Sequence, residues 1–169
     1  MINPKINSIL DEGNCLFLQG KFQQAIIYYD KILDEDPKNI SSLNNKGYAL
    51  SKLKDFTNAM KCYNLALEIC PDDLSVLINK ISSFRKQGNL IEALSICNNI
   101  LKNNPNYNVV LYHKERILFS MNKFDESFYF CNRILEDYPD NVDVLFDKAS
   151  NFAMLSNFDG ALDLSLIHI

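Results

Sequence analysis

The sequence predicts an all-α solenoid of about five helix–turn–helix units, on three observations. Proline stands at positions 37, 71, 105 and 139, so each step is 34 residues. These prolines sit in the tetrapeptides Asp36-Pro37-Lys38-Asn39, Cys70-Pro71-Asp72-Asp73, Asn104-Pro105-Asn106-Tyr107 and Tyr138-Pro139-Asp140-Asn141. Proline has no N–H and drives the preceding residue out of the helical region, so a helical pattern that meets one at a fixed interval is cut into equal pieces. Within each piece, apolar residues recur at helical spacing in two blocks. Glycine and proline number only five each, too few for a turn-rich sandwich or barrel.

Taken in order, the units run 6–39, 40–73, 74–107, 108–141 and an incomplete 142–163. The second unit shows the design. Leu43, Gly47, Leu50 and Leu53 form one stripe, Lys54-Asp55 intervenes, and Phe56, Ala59, Met60, Tyr63, Ala66 and Leu67 form the other. The other joints are Gln19-Gly20-Lys21, Gln87-Gly88-Asn89, Asn122-Lys123 and Ser156-Asn157, followed by Phe22, Leu90, Phe124 and Phe158. Two helices of about 12–14 residues joined by a tight turn make an antiparallel hairpin, and ten such helices account for nearly the whole chain.

Composition narrows the function. The formal charge of −4 and a pI near 5.1 argue against nucleic acid, which calls for a basic stripe. The N-terminal residues lack the apolar core of a signal peptide and no run approaches the ~18 apolar residues that span a bilayer, so a cytoplasmic protein with no membrane partner is expected. Cys15, Cys62, Cys70, Cys97 and Cys131 are odd in number and form no Cys-x-x-Cys pair. Cys97 and Cys131 share a column with Tyr29 and Tyr63, which marks them as core thiols rather than metal ligands. There is no Gly-rich phosphate loop, no Gly-x-Ser-x-Gly and no His-Glu-x-x-His, so neither catalytic residues, cofactor nor metal are expected, and the chain is read as no enzyme.

The 34-residue unit resembles the tetratricopeptide repeat (TPR), over the entire chain. Its small-residue columns are Gly13, Gly47 and Ala149 on the first helices, with Ala25, Ala59, Ala93, Ser127 and Ala161 on the second. Its larger columns are Leu43, Leu77, Leu111 and Leu145, and the pairs Ile32-Leu33, Ala66-Leu67, Ile100-Leu101 and Ile134-Leu135. The resemblance implies a right-handed superhelix whose first helices line a concave groove. Two positions depart from it. Ile81 and Glu115 stand where Gly or Ala belongs. Ile81 is expected to widen one helix pair. Glu115 is expected at the edge of the seam, satisfied by Lys114, Arg116 or the Ser127 hydroxyl, since an unpaired buried charge costs several kcal/mol; a functional acid is the alternative. A lysine column, Lys46, Lys80, Lys114 and Lys148, is expected to lay its stems on apolar surface and send its ammonium groups to water or a neighbouring helix.

Function then falls to the groove. The candidate peptide-binding residues are Asn14, Asn45, Tyr48, Lys52, Asn79, Arg85, Lys86, Tyr112, His113 and Arg116, with Ser51 on the same face. Asn can bond both the N–H and the C=O of a peptide, and Tyr supplies rigid contact area. Asn45 and Asn79 share one column and resemble the asparagine ladder by which some TPR superhelices hold a peptide main chain; the chain is also Asn-rich throughout, which leaves chance alignment open. The carboxylate clamp of co-chaperone TPR domains is poorly matched: Asn14 and Asn45 fit it, but Leu10, Ser75 and Asn79 stand where its cations belong. The cations Lys52, Arg85, Lys86 and Arg116, with His113, predict a positive patch for acidic peptides. The expected function is a non-enzymatic scaffold holding an extended partner segment. The alternative is the N-terminal targeting or regulatory module of a larger enzyme. Residues 164–169, Leu164-Ser165-Leu166-Ile167-His168-Ile169, read like the translation of a transposase adaptor used in sequencing libraries, so the native sequence here is expected to end at about Asp163 and the protein to continue beyond it, which leaves the last helix, from Phe158, bare on its outer face.

Overall fold

A computed structural model describes the backbone of residues 4–167 and the side chains of 6–156. Among the described residues there are nine helices and no strand. The chain forms two compact units, Met1–Asn89 and Leu90–Ile169. The first holds α1 (Pro4–Leu18), α2 (Phe22–Glu35), α3 (Ile40–Lys52), α4 (Phe56–Ile69) and α5 (Leu74–Gln87). The second holds α6 (Leu90–Asn103), α7 (Asn108–Ser120), α8 (Phe124–Asp137) and α9 (Val142–Ile167). Within each unit consecutive helices pack on one another, as hairpins joined by short turns.

The recurring tetrapeptide both ends one helix and starts the next. After three of the four proline stops, the residue two places on caps the following helix with its side chain. Asn39 Oδ1 accepts from Ser42 N at 3.0 Å, Asp73 Oδ1 from Val76 N at 3.1 Å and Asn141 Oδ1 from Val144 N at 3.2 Å. Such a bond satisfies one of the orphan N–H groups at a helix start and contributes about 1 kcal/mol. Tyr107 holds the same place in the fourth repeat and makes no side-chain cap.

The joints obey a second rule. Gly20, Lys54, Gly88 and Asn122, again 34 apart, all take positive φ, at 76°, 65°, 88° and 59°. That left-handed conformation reverses the chain, and glycine and asparagine enter it most cheaply. The next residue of this column is Ser156, and here no turn forms: α9 runs unbroken through it from Val142 to Ile167. The expected joint at Ser156-Asn157 is therefore absent, and nine helices stand where ten were expected. Serine carries a β-carbon and lacks the local preference for the left-handed region that glycine and asparagine have, so continuing the helix is the lower-cost path. The repeat columns of α9 register the loss of a partner: Ala149 is exposed and Leu145 is 45% exposed, where Leu43 and Leu111 are buried. Phe158, Ala161, Leu162, Leu164 and His168, with the outer face expected of that last helix, lie outside the described side chains.

In the first unit the core gathers Leu43, Ala59, Tyr63, Ala66 and Val76 in one cluster and Ala25, Ile26, Tyr29 and Ala49 in another. Gly13 and Gly47 face tyrosine rings. A β-carbon built at Gly13 would stand 2.8 Å from Tyr29 Cε1, and one at Gly47 would stand 2.7 Å from Tyr63 Cε1. The atoms for which Gly47 makes room are thus those of Tyr63, more than Ala59. In the second unit the core is Leu111, Leu118, Phe130, Cys131, Ile134 and Val144. Cys97 and Cys131 are fully buried, as their column requires, and burial pushes both thiols up to about 12. The lysine column behaves as its stems predict. Lys46 pairs with Asp30, Lys80 donates to Asn64 Oδ1 at 2.7 Å, and Lys114 and Lys148 lie over the rings of Phe130 and Phe128.

Glu115 departs from expectation. It is 1% exposed, not at the edge of the seam. Of the three expected partners the Ser127 hydroxyl is the one that donates to it, at 2.7 Å, while Lys114 turns to Phe130 and Arg116 to Tyr112 and Asp147. The pocket is deep because Cys131 is smaller than the tyrosine that fills this column in the first two repeats.

Two outcomes follow from the packing. Gly47→Ala should cost about 1–3 kcal/mol through overpacking against Tyr63, and combined with Tyr63→Cys it should cost less than the sum of the two single changes, a non-additivity measurable in urea melts. Additive costs would mean that the glycine serves something other than the ring. In thiol labelling of the folded chain, Cys15 should react promptly, while Cys62, Cys97 and Cys131, all buried, should react only as the chain opens.

Candidate peptide-binding surface

In the first unit, the first helices α1, α3 and α5 are tied side by side through polar bridges. Asn45 Nδ2 donates to Asn14 Oδ1 at 2.8 Å, linking α3 to α1. Asn79 Nδ2 donates to Asn44 Oδ1 at 3.0 Å, and the buried Ser83 and Ser51 hydroxyls meet at 2.8 Å, linking α5 to α3. Asn14 Oδ1 also receives the Tyr29 hydroxyl at 3.0 Å, and burial pushes that phenol up to about 12. Asn45 and Asn79 are both half-buried, and each spends an N–H on its neighbour. What remains for a ligand on each is a second N–H and the carbonyl oxygen. Ser51, placed on this face by helical spacing, is instead buried at 3% exposure by its bond to Ser83.

Tyr48 is the centre of the surface. Its ring stacks on Phe17 at 5.0 Å, and two ammonium groups lie over it, Lys52 Nζ at 5.2 Å and Lys86 Nζ at 5.7 Å from the centroid. Cation–π attraction holds these two lysines near one another despite their like charge. Arg85, half-buried on the last turn of α5, adds a third cation. Burial first, then the charges of Lys52 and Arg85, lower the Lys86 ammonium below its ordinary value. Beside the ring a hollow of about 290 Å³ is lined by Asn14, Phe17, Leu18, Tyr29, Asn45 and Tyr48. Leu18 is 85% exposed at its mouth. An apolar hollow, an aromatic platform and clustered cations thus adjoin on one face. Among the described residues no group of three or more His, Cys, Asp or Glu side chains is arranged to hold a metal. No described helix is long and apolar enough to cross a membrane.

The second unit carries the remaining candidates in a different setting. Arg116 Nη1 donates to the Tyr112 hydroxyl at 2.7 Å and reaches Asp147 Oδ2 of α9 at 3.5 Å. Its guanidinium also sits 5.5 Å from the Tyr112 ring centroid. Much of its charge is thereby matched inside the protein, so Arg116 is not an open cation like Lys52 and Lys86. His113 meets Tyr112 edge-on at 6.3 Å. A further hollow of about 280 Å³ is lined by Asn108, Val109, Tyr112, Ile134, Tyr138 and Asn141. Sequence reasoning missed this hollow and the Asn14–Asn45, Asn44–Asn79 and Ser51–Ser83 bridges. Their signal was present in polar residues recurring on successive first helices, but the spacing does not say which of them meet.

Comparison with known proteins agrees with this architecture. The family described as the tetratricopeptide repeat protein 21 N-terminal ARM repeat matches residues 5–128. A crystal structure of a tetratricopeptide repeat protein from Parabacteroides merdae ATCC 43184 superposes with a TM-score of 0.80 at 22% identity, covering 95% of this chain and 63% of that one. The chain therefore spans less than two thirds of that protein's length. YrrB, described as a TPR protein with an unusual peptide-binding site, gives a TM-score of 0.67 at 17% identity, covering 92% of this chain and 80% of its own. MamA AMB-1 gives 0.68 at 18% identity, covering 94% and 87%. The comparison with curated proteins gives no match. At these identities the structures show a common fold, the all-α solenoid of helix–turn–helix repeats. With the profile of its N-terminal repeat region matched over most of the sequence, the chain belongs to the tetratricopeptide repeat family.

Proposed function

We propose that the protein is a non-enzymatic scaffold, acting in the cytoplasm, that holds an extended acidic segment of a partner protein on the first-helix face around Tyr48. The observation that carries this reading is the coincidence of three cations, Lys52, Arg85 and Lys86, with the Tyr48 ring and the adjoining apolar hollow. Like charges gathered on one face attract an anionic ligand, and a partly desolvated lysine gains from receiving one. The hollow can take one apolar side chain, while the Asn45 and Asn79 amides retain a donor and an acceptor for a peptide main chain. YrrB, a protein of this fold described as having an unusual peptide-binding site, supports peptide binding as such. On an acidic chain of net charge −4 such a patch is local, so its attraction is felt within about a Debye length and weakens with salt.

Arg85→Glu with Lys86→Glu should weaken binding of an acid-rich fluorescent peptide at least tenfold, or about 1.4 kcal/mol, in an anisotropy titration, with helicity by circular dichroism unchanged. The wild-type affinity should fall as salt is raised. Affinity indifferent to both the reversals and the salt would overturn the reading.

A further inference from the structure

We propose that Glu115 is carried as the neutral acid and donates its proton to Asn151, forming an acid–amide pair that latches α9 onto α7. The donors and acceptors of this site, which is closed to water, point to that state. Glu115 is 1% exposed and Asn151 is 0% exposed. Glu115 Oε1 accepts from Ser127 Oγ at 2.7 Å and from Asn151 Nδ2 at 3.4 Å. Glu115 Oε2 and Asn151 Oδ1 are both buried with no nitrogen or oxygen donor at hydrogen-bond distance, and the Cys131 thiol, a weak donor, is the one further group that reaches the carboxyl. An ionised carboxylate and an amide oxygen are both acceptors, and two buried acceptors without donors are costly. Turning the Asn151 amide over does not relieve this, because its N–H is held by the Asp147 carbonyl at 3.0 Å. A proton on Glu115 Oε2 does relieve it. The acid then offers an O–H to the amide oxygen and a carbonyl oxygen to the amide N–H, a complementary two-bond pair.

Of the charged groups around the carboxyl, the Arg116 guanidinium favours the carboxylate, while burial and Asp147 favour the acid. From α9, Asp147 adds negative charge, itself shared with Arg116 of α7. From α8, Cys131 presents a thiol that burial keeps protonated, beside the neutral Ser127. On α7 the neighbouring Lys114 lies over Phe130, with the Cys97 thiol of α6 nearby. Burial first, then Asp147, raises the Glu115 carboxyl above its ordinary value, against the opposing pull of the Ser127, Asn151 and Cys131 bonds.

A carboxyl raised in the docked state binds its proton more tightly there than in the opened state, where it has its ordinary value of 4.5. The latch is therefore complete below that value and weakens as pH rises toward the docked value. Asp147 is carried on α9, so the Arg116–Asp147 pair is conditional on the same proton. Glu115 is thus a positioning residue for α9.

Hydrogen exchange of α9 amides, compared between the wild type and Glu115→Gln at each pH, tests this, since intrinsic rates cancel in the ratio. Glutamine supplies the same donor and acceptor without a titration. The two should match at about pH 4 and below, and above about pH 5 wild-type α9 should exchange faster than the variant by roughly tenfold per pH unit until the docked carboxyl ionises. A ratio that stays flat from about pH 5 to 8, or a variant whose α9 is looser at every pH, would overturn the proposal. Should Glu115→Gln not fold, carbon NMR of the wild-type side-chain carboxyls decides: one glutamate that keeps its acid form well above the others supports the latch, and all titrating together refutes it.

Discussion

A tyrosine ring laid where a β-carbon would come within 2.7 Å fixes how closely α3 and α4 can cross, and the rest of the first unit is spaced from that contact. Tyr63 and its counterpart Tyr29 are fully buried, and each is accommodated by a glycine one helix away. Once the hairpins are spaced this way, successive first helices lie close enough for short polar side chains to bridge them. Asn14 to Asn45, Asn44 to Asn79 and Ser51 to Ser83 are all within hydrogen-bond distance. The bridges in turn set Tyr48 beside Lys52, Lys86 and Phe17. Packing in the hairpin thus determines a surface on its far side.

The second unit solves the same columns with other volumes. Cysteine at 131 frees space that tyrosine fills in the first two repeats, and Glu115 occupies the glycine column opposite it. A carboxyl in that place needs a buried polar environment, which Ser127 and Asn151 supply from α8 and α9. Ser127 stands in the alanine column and Asn151 in the column of Ala49 and Ser83, so three polar departures from the repeat coincide on one site. Hydrogen bonds join the three side chains into one buried network.

The 34-residue period, the proline stops and the buried Ala, Tyr and Cys columns were legible in the sequence, because each is a local or periodic constraint. Three things were not. Ser156 sits in a column whose other members turn the chain, and its residue type alone did not say that the helix would run through. The depth of Glu115 was misjudged, since burial depends on the size of Cys131 sixteen places on and on a partner from α9. The surface residues were placed on the right helices, but spacing gives a side chain's face and not its partner. It therefore could not separate Arg116, matched by Asp147 and Tyr112, from Lys52 and Lys86, which face outward.

The packed first helices create one surface around Tyr48, and a partner segment held there is what the proposed function requires. Panning a random peptide library against the whole chain, with a photo-reactive residue in place of Lys52 to mark where the selected peptides lie, tests it without presuming a ligand. Peptides that place an apolar residue among acidic ones should be enriched and cross-linked on α3 and α5. Selection of neutral or basic peptides, or of peptides that leave the Lys52 position unlinked, would contradict it.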